Sequence, residues 1–303
     1  MNLISILGQT SSGKTALSLE LFKTMESAGL QSVIVNCDSR QIYRNLNIGT
    51  GKVSGDWQSY GSESKAYFVR GIPHFLIDYV DPTTRYSMTD YLTDWCDLYK
   101  YDLPENLDYV ILVGGTGLWA KAIMEEFQPG IIKTEFQASF DCLRDEIETY
   151  SLQQLQKESS RQDFNNSDWN NPRRLSNALL RGVAKTNSWT TQLDYPVFGY
   201  KQSYAIDIDQ NRLQSNIQSR LDSRIEEGLI QEVEALLYLK DRLLELGLEY
   251  RLTYLYLLGQ MSKETWEQSL VQENIRYAKR QRTWLKKQDV CWIHSIEDIT
   301  TIL

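Results

Sequence analysis

The stretch from Gly8 to Thr15, Gly-Gln-Thr-Ser-Ser-Gly-Lys-Thr, constrains the fold of this chain more than any other part of it. Its glycine, four intervening residues and Gly-Lys-Thr have the spacing of a P-loop, whose backbone N–H groups surround a phosphate at the start of a helix. An apolar run at residues 3–7 precedes the loop, and Leu17, Leu21 and Met25 follow it at helical spacing. The sequence therefore predicts a strand, a phosphate-binding loop and a helix in the order that such a loop requires.

Lys14 and Thr15 are the side chains of this loop with the clearest chemical roles. A lysine at this position reaches the outer phosphate of the ligand. The hydroxyl of Thr15 is the candidate ligand for Mg²⁺, a cation that proteins usually hold through few oxygens of their own, with waters and substrate phosphates completing the shell. The loop predicts a bound phosphate but does not identify the molecule that carries it.

Strand-like and helix-like segments alternate over roughly the first 125 residues. Residues 33–35 and 108–117 indicate buried strands, and residues 67–82 indicate a further extended region. This alternation predicts an α/β fold, a P-loop three-layer core in which helices cover both faces of a parallel sheet. Residues 196–200 are expected to return one more strand to the sheet, and residues 290–296 to close it.

The pattern changes in the middle of the chain, where polar helical sequence replaces strand signals. Residues 126–194 are therefore expected to form a helical insertion. Residues 1–125 and 195–303 are expected to form the core, with a helical C-terminal region in which Gly228 marks a joint between helices.

Composition limits the class of protein. Hydrophobic residues make up 42% of the 303 residues, enough for a sizeable core. The four cysteines are far apart and form no Cys-x-x-Cys pair, so neither a zinc site nor a disulfide framework is predicted. No apolar run approaches the ~20 residues of a membrane span, and no basic leader precedes the first strand. We expect a soluble, cytoplasmic protein without a membrane segment.

Two basic segments stand out against a formal net charge of −8. Residues 276–287 hold six basic side chains and no acid, and residues 171–185 repeat the pattern. On an acidic chain such segments indicate a localised surface for a polyanion, because Lys and Arg supply most of the affinity for phosphate backbones. The alternative, a solvated helix face, stays open at this point.

Nucleotide-hydrolysing P-loop enzymes usually hold Mg²⁺ with a carboxylate at the end of a second core strand. Here Gly114, Gly115 and Thr116 follow the strand at which that acid is expected, and none of them is acidic. Asp38 ends the second strand instead, so a small-molecule kinase remains possible. The ends of parallel strands are where ligands bind in open α/β sheets, which makes Asp38 a candidate site residue.

Seven motifs occur in one order along nearly the whole chain. They are GQTSSGKT, VNCDSRQIYRNLNIGTGK, GIPHFLIDYVDPTTRYSMTDY, VGGTGLWAKAI, NPRRLSNAL, RLDSRIEEGLIQEV and YAKRQRTWLK. The first is common among phosphate-binding proteins, but Asp-Ser-x-x-Ile-Tyr, Gly-Gly-Thr and Ala-Lys-Arg-Gln-x-Thr-Trp form a specific set. With them the chain resembles the tRNA dimethylallyltransferase family, also called tRNA isopentenyltransferases.

The resemblance implies transfer of a dimethylallyl group from dimethylallyl diphosphate to N6 of the adenosine 3′ of the anticodon, in tRNAs that read codons beginning with U. The partners it implies are this diphosphate, the tRNA anticodon stem-loop and Mg²⁺. An exocyclic amine must lose a proton as the new bond forms, which calls for a general base. Asp38 is the candidate base, and Lys14 and the loop N–H groups would stabilise the departing diphosphate. The adenosine would be flipped into a channel.

The resemblance also assigns residues to each substrate. The diphosphate would be bound by the loop residues Gly8, Gln9, Thr10, Ser11, Ser12, Gly13, Lys14 and Thr15, and Arg251 would contact it from the opposite side. The tRNA would be bound by Asp38, Ser39, Arg40, Gln41, Thr116, Arg144, Arg173, Arg174, Leu175, Ser176, Asn177, Arg276, Lys279, Arg280 and Gln281. One chain carries all of these residues, so a monomer is expected.

This chain departs from the family pattern at several positions. Gln9 replaces the usual proline of the loop, and Phe75 replaces a second histidine after His74. Glu249 stands where the family has glycine, which puts a carboxylate near Arg251 that could pair with it. Asn177 and Ile275 occupy positions where arginine is common.

Three other functions remain compatible with parts of the sequence. An adenylate dimethylallyltransferase would use the same donor with AMP, ADP or ATP as acceptor, and would not need the basic segments. A small-molecule kinase would use the loop for ATP. A non-catalytic RNA-binding protein would not need Lys14, Thr15 and Asp38, all of which are present.

Overall fold

The structure is a computed structural model and describes residues 1–61 and 64–300, apart from the side chain of Thr300. Two compact units form the chain: Met1–Glu125 with Pro196–Leu303, and Glu126–Tyr195. In the described part no helix is both long and apolar enough to cross a membrane.

Strands and helices alternate through the first half of the chain, and helices dominate the second. The described strands are β1 (Asn2–Leu7), β2 (Ser32–Asn36), β3 (Asp56–Tyr60), β4 (Ser64–Val69), β5 (Ile72–Phe75), β6 (Tyr109–Gly114), β7 (Ile131–Ile132), β8 (Thr190–Thr191), β9 (Lys201–Ile206) and β10 (Cys291–Ile293). The described helices are α1 (Lys14–Ser27), α2 (Met88–Asp97), α3 (Gly117–Met124), α4 (Gln137–Glu148), α5 (Leu152–Glu158), α6 (Asn166–Trp169), α7 (Pro172–Thr186), α8 (Gln210–Glu226), α9 (Leu229–Ala235), α10 (Leu248–Leu257), α11 (Lys263–Leu285) and α12 (Glu297–Thr300).

Eight strands of the first unit form one sheet in the order β10-β9-β1-β6-β2-β5-β4-β3. The first six strands are parallel to one another, and β4 and β3 extend the sheet in antiparallel fashion. The mostly parallel α/β fold predicted from the sequence is confirmed. Because β1, β6 and β2 are parallel neighbours, the loops that follow them meet at one edge of the sheet.

The central strands are buried on both faces, as expected for a parallel sheet. Every residue from Leu3 to Leu7 is buried, although successive side chains point to opposite faces. Leu21, Phe22 and Met25 of α1 pack in one cluster with Ile4, Ile34 and Ile111 of the sheet. The apolar side chains of α1 thus hold against the sheet the helix that begins at the phosphate loop.

The second unit has a hydrophobic core of its own. Leu175 and Leu180 of α7 pack with Ile147 of α4 and Leu155 of α5. Leu175, predicted among the tRNA contacts, is 0% exposed, so its side chain supports α7 from inside the unit. Two further strands, β7 and β8, pair with each other in this unit.

Two strand predictions are wrong in detail. The strand expected at residues 196–200 lies instead at β9, which pairs in parallel with β1. The sequence of β9 is partly polar and so does not resemble a buried strand. Its Ser203 is nevertheless buried, and the hydroxyl accepts a hydrogen bond from Ser5 at 2.8 Å. The extended region at residues 67–82 contains a turn at Arg70 and Gly71, both with positive φ, and this turn joins the antiparallel β4 and β5.

Candidate active site

A cavity of about 910 Å³ lies at the edge of the sheet where β1, β2 and β6 end. The phosphate loop contributes Thr10, Ser11, Gly13, Lys14 and Thr15 to its wall, and the segment after β2 contributes Asp38–Gln41. The rest of the wall comes from the loop Gly49–Gly51, the turn Gly114–Thr116 and residues of α8, α10 and α11. Most of the predicted site residues of the first unit therefore share one cavity.

The phosphate loop has the backbone geometry that its glycines allow. Gly13 has φ of 94° and serves as the N-cap of α1, a left-handed conformation that glycine adopts without strain. The Nζ of Lys14 donates to the carbonyl oxygens of Gly8 at 3.1 Å and Gln9 at 2.8 Å. Burial lowers the pKa of Lys14 to about 8, with Asp38 opposing the shift and Arg220 adding to it. The ammonium is held at the loop, next to the cavity.

Asp38 is held at the cavity wall by its own backbone turn. Its Oδ1 accepts a hydrogen bond from the N–H of Arg40 at 2.9 Å, and its Oδ2 accepts none from the residues that the structure describes. Thr116 Oγ1 accepts from the N–H of Ser39 at 2.9 Å and donates to the hydroxyl of Ser39 at 3.2 Å. One carboxylate oxygen is therefore fixed and the other is available to a ligand.

The ends of β2 and β6 approach each other closely because Gly114 has no side chain. A Cβ added at Gly114 would lie 1.9 Å from the carbonyl oxygen of Cys37, a distance that no side chain can occupy. A Cβ added at Gly115 would lie 3.1 Å from Oδ2 of Asp38. The Gly-Gly-Thr sequence therefore brings the turn after β6 against Asp38.

Three arginines bring positive charge to the same cavity. Arg220 donates from Nη2 to the carbonyl oxygen of Gly51 at 3.3 Å, and burial, with nearby Arg224, lowers its pKa to about 10. Arg224 is buried and forms an ion pair with Glu249 at 2.6 Å. Arg251 is half-buried and makes no side-chain hydrogen bond or ion pair with the described residues. Glu249, which could have paired with Arg251, pairs with Arg224 instead.

A half-buried carboxylate, that of Glu232, holds the loop that contributes Gly49–Gly51 to the cavity wall. Glu232 accepts hydrogen bonds from the N–H groups of Asn47 at 2.9 Å, Ile48 at 2.8 Å and Gly49 at 2.9 Å. The hydroxyl of Tyr250 donates to the same carboxylate at 2.6 Å. These four bonds fix the loop whose Gly51 carbonyl meets Arg220.

Helix α11 contributes four of the predicted RNA-binding residues of the first unit, in addition to Asp38–Gln41 and Thr116 of the cavity wall. Lys279 and Arg280 are exposed, and Arg276 is exposed and paired with Glu273 at 2.5 Å. The amide of Gln281 joins two backbone segments instead, because Oε1 accepts from the N–H of Thr10 at 2.7 Å and Nε2 donates to Gly115 at 3.0 Å.

The remaining predicted RNA contacts lie in the second unit. Arg173 and Asn177 are exposed on α7. Arg174 is paired with Asp168, and Arg144 with Asp141 at 2.6 Å. Ser176 donates from its hydroxyl to the carbonyl oxygen of Pro172 at 2.9 Å.

Sequence reasoning missed the polar face of α8. Asn216, Arg220 and Arg224 are four residues apart, so they lie on one side of the helix. Asn216 Nδ2 donates to the carbonyl oxygen of Ser11 in the phosphate loop at 3.1 Å. In the sequence these polar residues alternate with the apolar Leu213, Ile217 and Leu221. That pattern is typical of an amphipathic helix with an ordinary solvated face, so it did not indicate a site.

A divalent cation would find few protein ligands here. The described residues contain no group of three or more His, Cys, Asp or Glu side chains placed to hold a metal. The Thr15 hydroxyl lines the cavity and makes no hydrogen bond with the described residues. This donor set fits Mg²⁺, which keeps waters and substrate phosphates, better than a cation that needs a protein cage.

Comparison with known proteins gives one consistent result. The family model described as IPP transferase matches residues 41–288. The chain is 33% identical to tRNA dimethylallyltransferase 1 of Syntrophus aciditrophicus (strain SB) over 311 residues, covering 98% of this chain and 92% of that protein. It is 32% identical to tRNA dimethylallyltransferase 1 of Azobacteroides pseudotrichonymphae genomovar. CFP2 over 293 residues, covering 94% and 88%.

A solved structure agrees with these relatives. The crystal structure of the full-length tRNA isopentenylpyrophosphate transferase from Bacillus halodurans superposes with a TM-score of 0.63 at 28% identity, covering 97% of this chain and 89% of that one. The resemblance found in the sequence motifs is confirmed. This chain belongs to the IPP transferase family, the family of the tRNA dimethylallyltransferases.

Proposed function

We propose that this chain transfers the dimethylallyl group of dimethylallyl diphosphate to N6 of the adenosine at position 37, 3′ of the anticodon, in tRNAs that read UNN codons. The observation that supports this proposal most directly is that the phosphate loop with Lys14 and the carboxylate of Asp38 line one cavity in a member of this family. One chain contains every residue of the proposed site, so the monomer is the proposed active form.

The proposed reaction needs a base on one side of the acceptor and cations around the leaving group. The bond from N6 to C1 of the dimethylallyl group forms while the C1–O bond breaks, and the electron pair leaves with the diphosphate. The N6 proton passes to the open Oδ2 of Asp38, as in general-base catalysis. Lys14, Arg220 and Arg251 line the cavity and would stabilise the negative charge on the diphosphate.

Mg²⁺ would be held by the Thr15 hydroxyl together with the substrate's phosphate oxygens. When bound, the cation neutralises charge that develops on the leaving diphosphate. The residues of the chain then orient the two substrates, and Asp38 takes the proton.

The acceptor base must leave its stack to reach Asp38, because its N6 is not accessible inside a stacked loop. The exposed Lys279 and Arg280 of α11 supply positive charge for the phosphate backbone. Such contacts position the RNA, and the cavity selects the base.

A transfer assay tests the proposal. Purified protein and Mg²⁺ are incubated with labelled dimethylallyl diphosphate and unmodified tRNA, with AMP, and with labelled ATP in a parallel tube. Label is expected in tRNA, and it should disappear when adenosine 37 is replaced. Label in AMP alone would make the chain an adenylate dimethylallyltransferase, and phosphate transfer without prenyl transfer would make it a kinase.

The double variant Lys279→Ala, Arg280→Ala should weaken tRNA binding and flatten its salt dependence. Each lost phosphate contact removes about one unit from the slope of log K against log salt, so the double variant should lose up to about two. Binding titrations at several salt concentrations measure the slope. Lys263→Ala, on the same helix and paired with Glu267, is the matched control. An unchanged slope in the double variant would leave the segment as a solvated helix face.

The variant Glu249→Gln should be less stable than the native protein but bind diphosphate more tightly. Glu249 neutralises the buried Arg224, and removing one partner of a buried pair costs about 3 kcal/mol. The uncompensated arginine then adds positive charge to the cavity. Denaturant unfolding measures the loss, and calorimetric titration with inorganic diphosphate measures the gain. Weaker diphosphate binding in a folded variant would contradict the expected charge effect.

A further inference from the structure

The side chain of Gln9 is buried inside the phosphate loop, where only 1% of the residue is exposed. Its Nε2 donates to the carbonyl oxygen of Ala278, in the middle of α11, at 3.0 Å. Ala278 is itself 1% exposed, so this hydrogen bond is shielded from water. A shielded bond between a loop and a helix that are 269 residues apart in sequence restrains the loop.

The next residue of the loop is attached to the same helix. The N–H of Thr10 donates to Oε1 of Gln281 at 2.7 Å. Ala278 and Gln281 are three residues apart and so lie on one side of α11. Two successive loop residues are therefore bonded to one turn of the helix that also carries Lys279 and Arg280.

The position of Gln9 determines where the charge of Lys14 lies. The carbonyl oxygen of Gln9 accepts the hydrogen bond from Lys14 Nζ at 2.8 Å, and it also accepts from the N–H of Ser12 at 3.3 Å. A shift of Gln9 would move this acceptor and change the reach of the ammonium toward a bound phosphate. Among the described residues, no other side chain of the loop forms a hydrogen bond with α11.

We propose that Gln9 is a positioning residue for the diphosphate: its amide anchors the phosphate loop to α11 and thereby holds the Gln9 carbonyl that places Lys14. This inference rests on the proposed function, because the ligand it assigns to the loop is the diphosphate of the prenyl donor. The amide acts through the loop and does not contact the reacting atoms.

Two substitutions at position 9 distinguish the effect of the hydrogen bond to α11 from the effect of the volume of the side chain. Gln9→Met keeps the length and fills the site but cannot donate to Ala278. Its KM for dimethylallyl diphosphate should rise roughly three- to tenfold, the usual worth of one hydrogen bond, while the KM for tRNA stays unchanged. Gln9→Pro should recover the native donor KM, because proline restrains the loop through its ring. The N–H of Gln9 makes no hydrogen bond with the described residues, and its φ is not positive, so proline removes no backbone hydrogen bond.

The measurements are steady-state kinetics with each substrate varied, calorimetric titration with inorganic diphosphate, and thermal unfolding. Gln202→Met is the matched control, since Gln202 is half-buried and also donates to a backbone carbonyl, that of Ser203 at 3.1 Å. If Gln9→Met does not fold, Gln9→Asn replaces it, because the shorter amide cannot reach Ala278.

An unchanged donor KM and unchanged diphosphate affinity in a folded Gln9→Met would overturn the inference. So would a lower melting temperature with equal loss of activity toward both substrates. Failure of the proposed function appears elsewhere, as native protein that transfers no prenyl group. The titration with inorganic diphosphate still tests Gln9 in that case, because it needs no transfer.

Discussion

Replacing Asp38 by asparagine is expected to slow prenyl transfer by about 10²–10⁴-fold, the usual contribution of a positioned general base. Asparagine keeps the oxygen that accepts from the N–H of Arg40, so the local turn should persist. It cannot accept the N6 proton, however, and the chemical step should slow while tRNA and diphosphate still bind. Single-turnover kinetics with saturating substrates measure this step directly.

Asp81→Asn is the matched control for the loss of a carboxylate. Asp81 makes the same turn, accepting from the N–H of Thr83 at 2.8 Å, but it does not line the cavity. Its replacement should leave the rate unchanged. A fully active Asp38→Asn variant would remove Asp38 from the proposed role of base.

Lys14→Met is expected to lower kcat/KM for dimethylallyl diphosphate by about 10²–10³-fold, the loss seen when one donor to a developing anion is removed. It should also change how diphosphate binding depends on pH. The pKa of Lys14 in the free protein is lowered to about 8, so the native ammonium loses its proton as pH rises through 8. Native affinity should therefore fall above pH 8, and the variant should lack this component.

The ratio of native to variant affinity isolates Lys14, because the ionisation of diphosphate itself is common to both titrations. Lys23→Met, an exposed position on the same helix, is the control for loss of a positive charge. Equal pH profiles for the native protein and Lys14→Met would show that Lys14 does not contact the diphosphate.

The core of the fold could be predicted because its signals are local. The apolar residues 3–7, the glycines of the loop and the spacing of α1 each specify their own element, and together they fix strand, loop and helix. The β9 strand could not be placed, because its buried Ser203 is satisfied only by Ser5, 198 residues away. The antiparallel β3 was likewise missed, since most of its residues are exposed.

The candidate site residues could likewise be predicted where their signals are local in the sequence, and not where they depend on contacts between distant residues. Lys14, Thr15 and Asp38 belong to short motifs, and the cavity contains all three. Arg224 and Glu249 are 25 residues apart, and only folding reveals that they form a buried pair. The burial of Leu175 was hidden because its neighbours in sequence are basic, while its contacts come from other helices of the second unit.

The loop held by Glu232 has a consequence for how the substrate can be placed. Three successive N–H groups that converge on one acceptor form the kind of concave nest that binds anions, and here the protein fills that nest with its own carboxylate. In the phosphate loop, by contrast, no carboxylate of the described residues accepts from a backbone N–H group, although the N–H of Thr10 donates to Oε1 of Gln281. The backbone N–H groups held by Glu232 are therefore closed to an external anion, and we expect an anion that enters the cavity to bind at the phosphate loop instead.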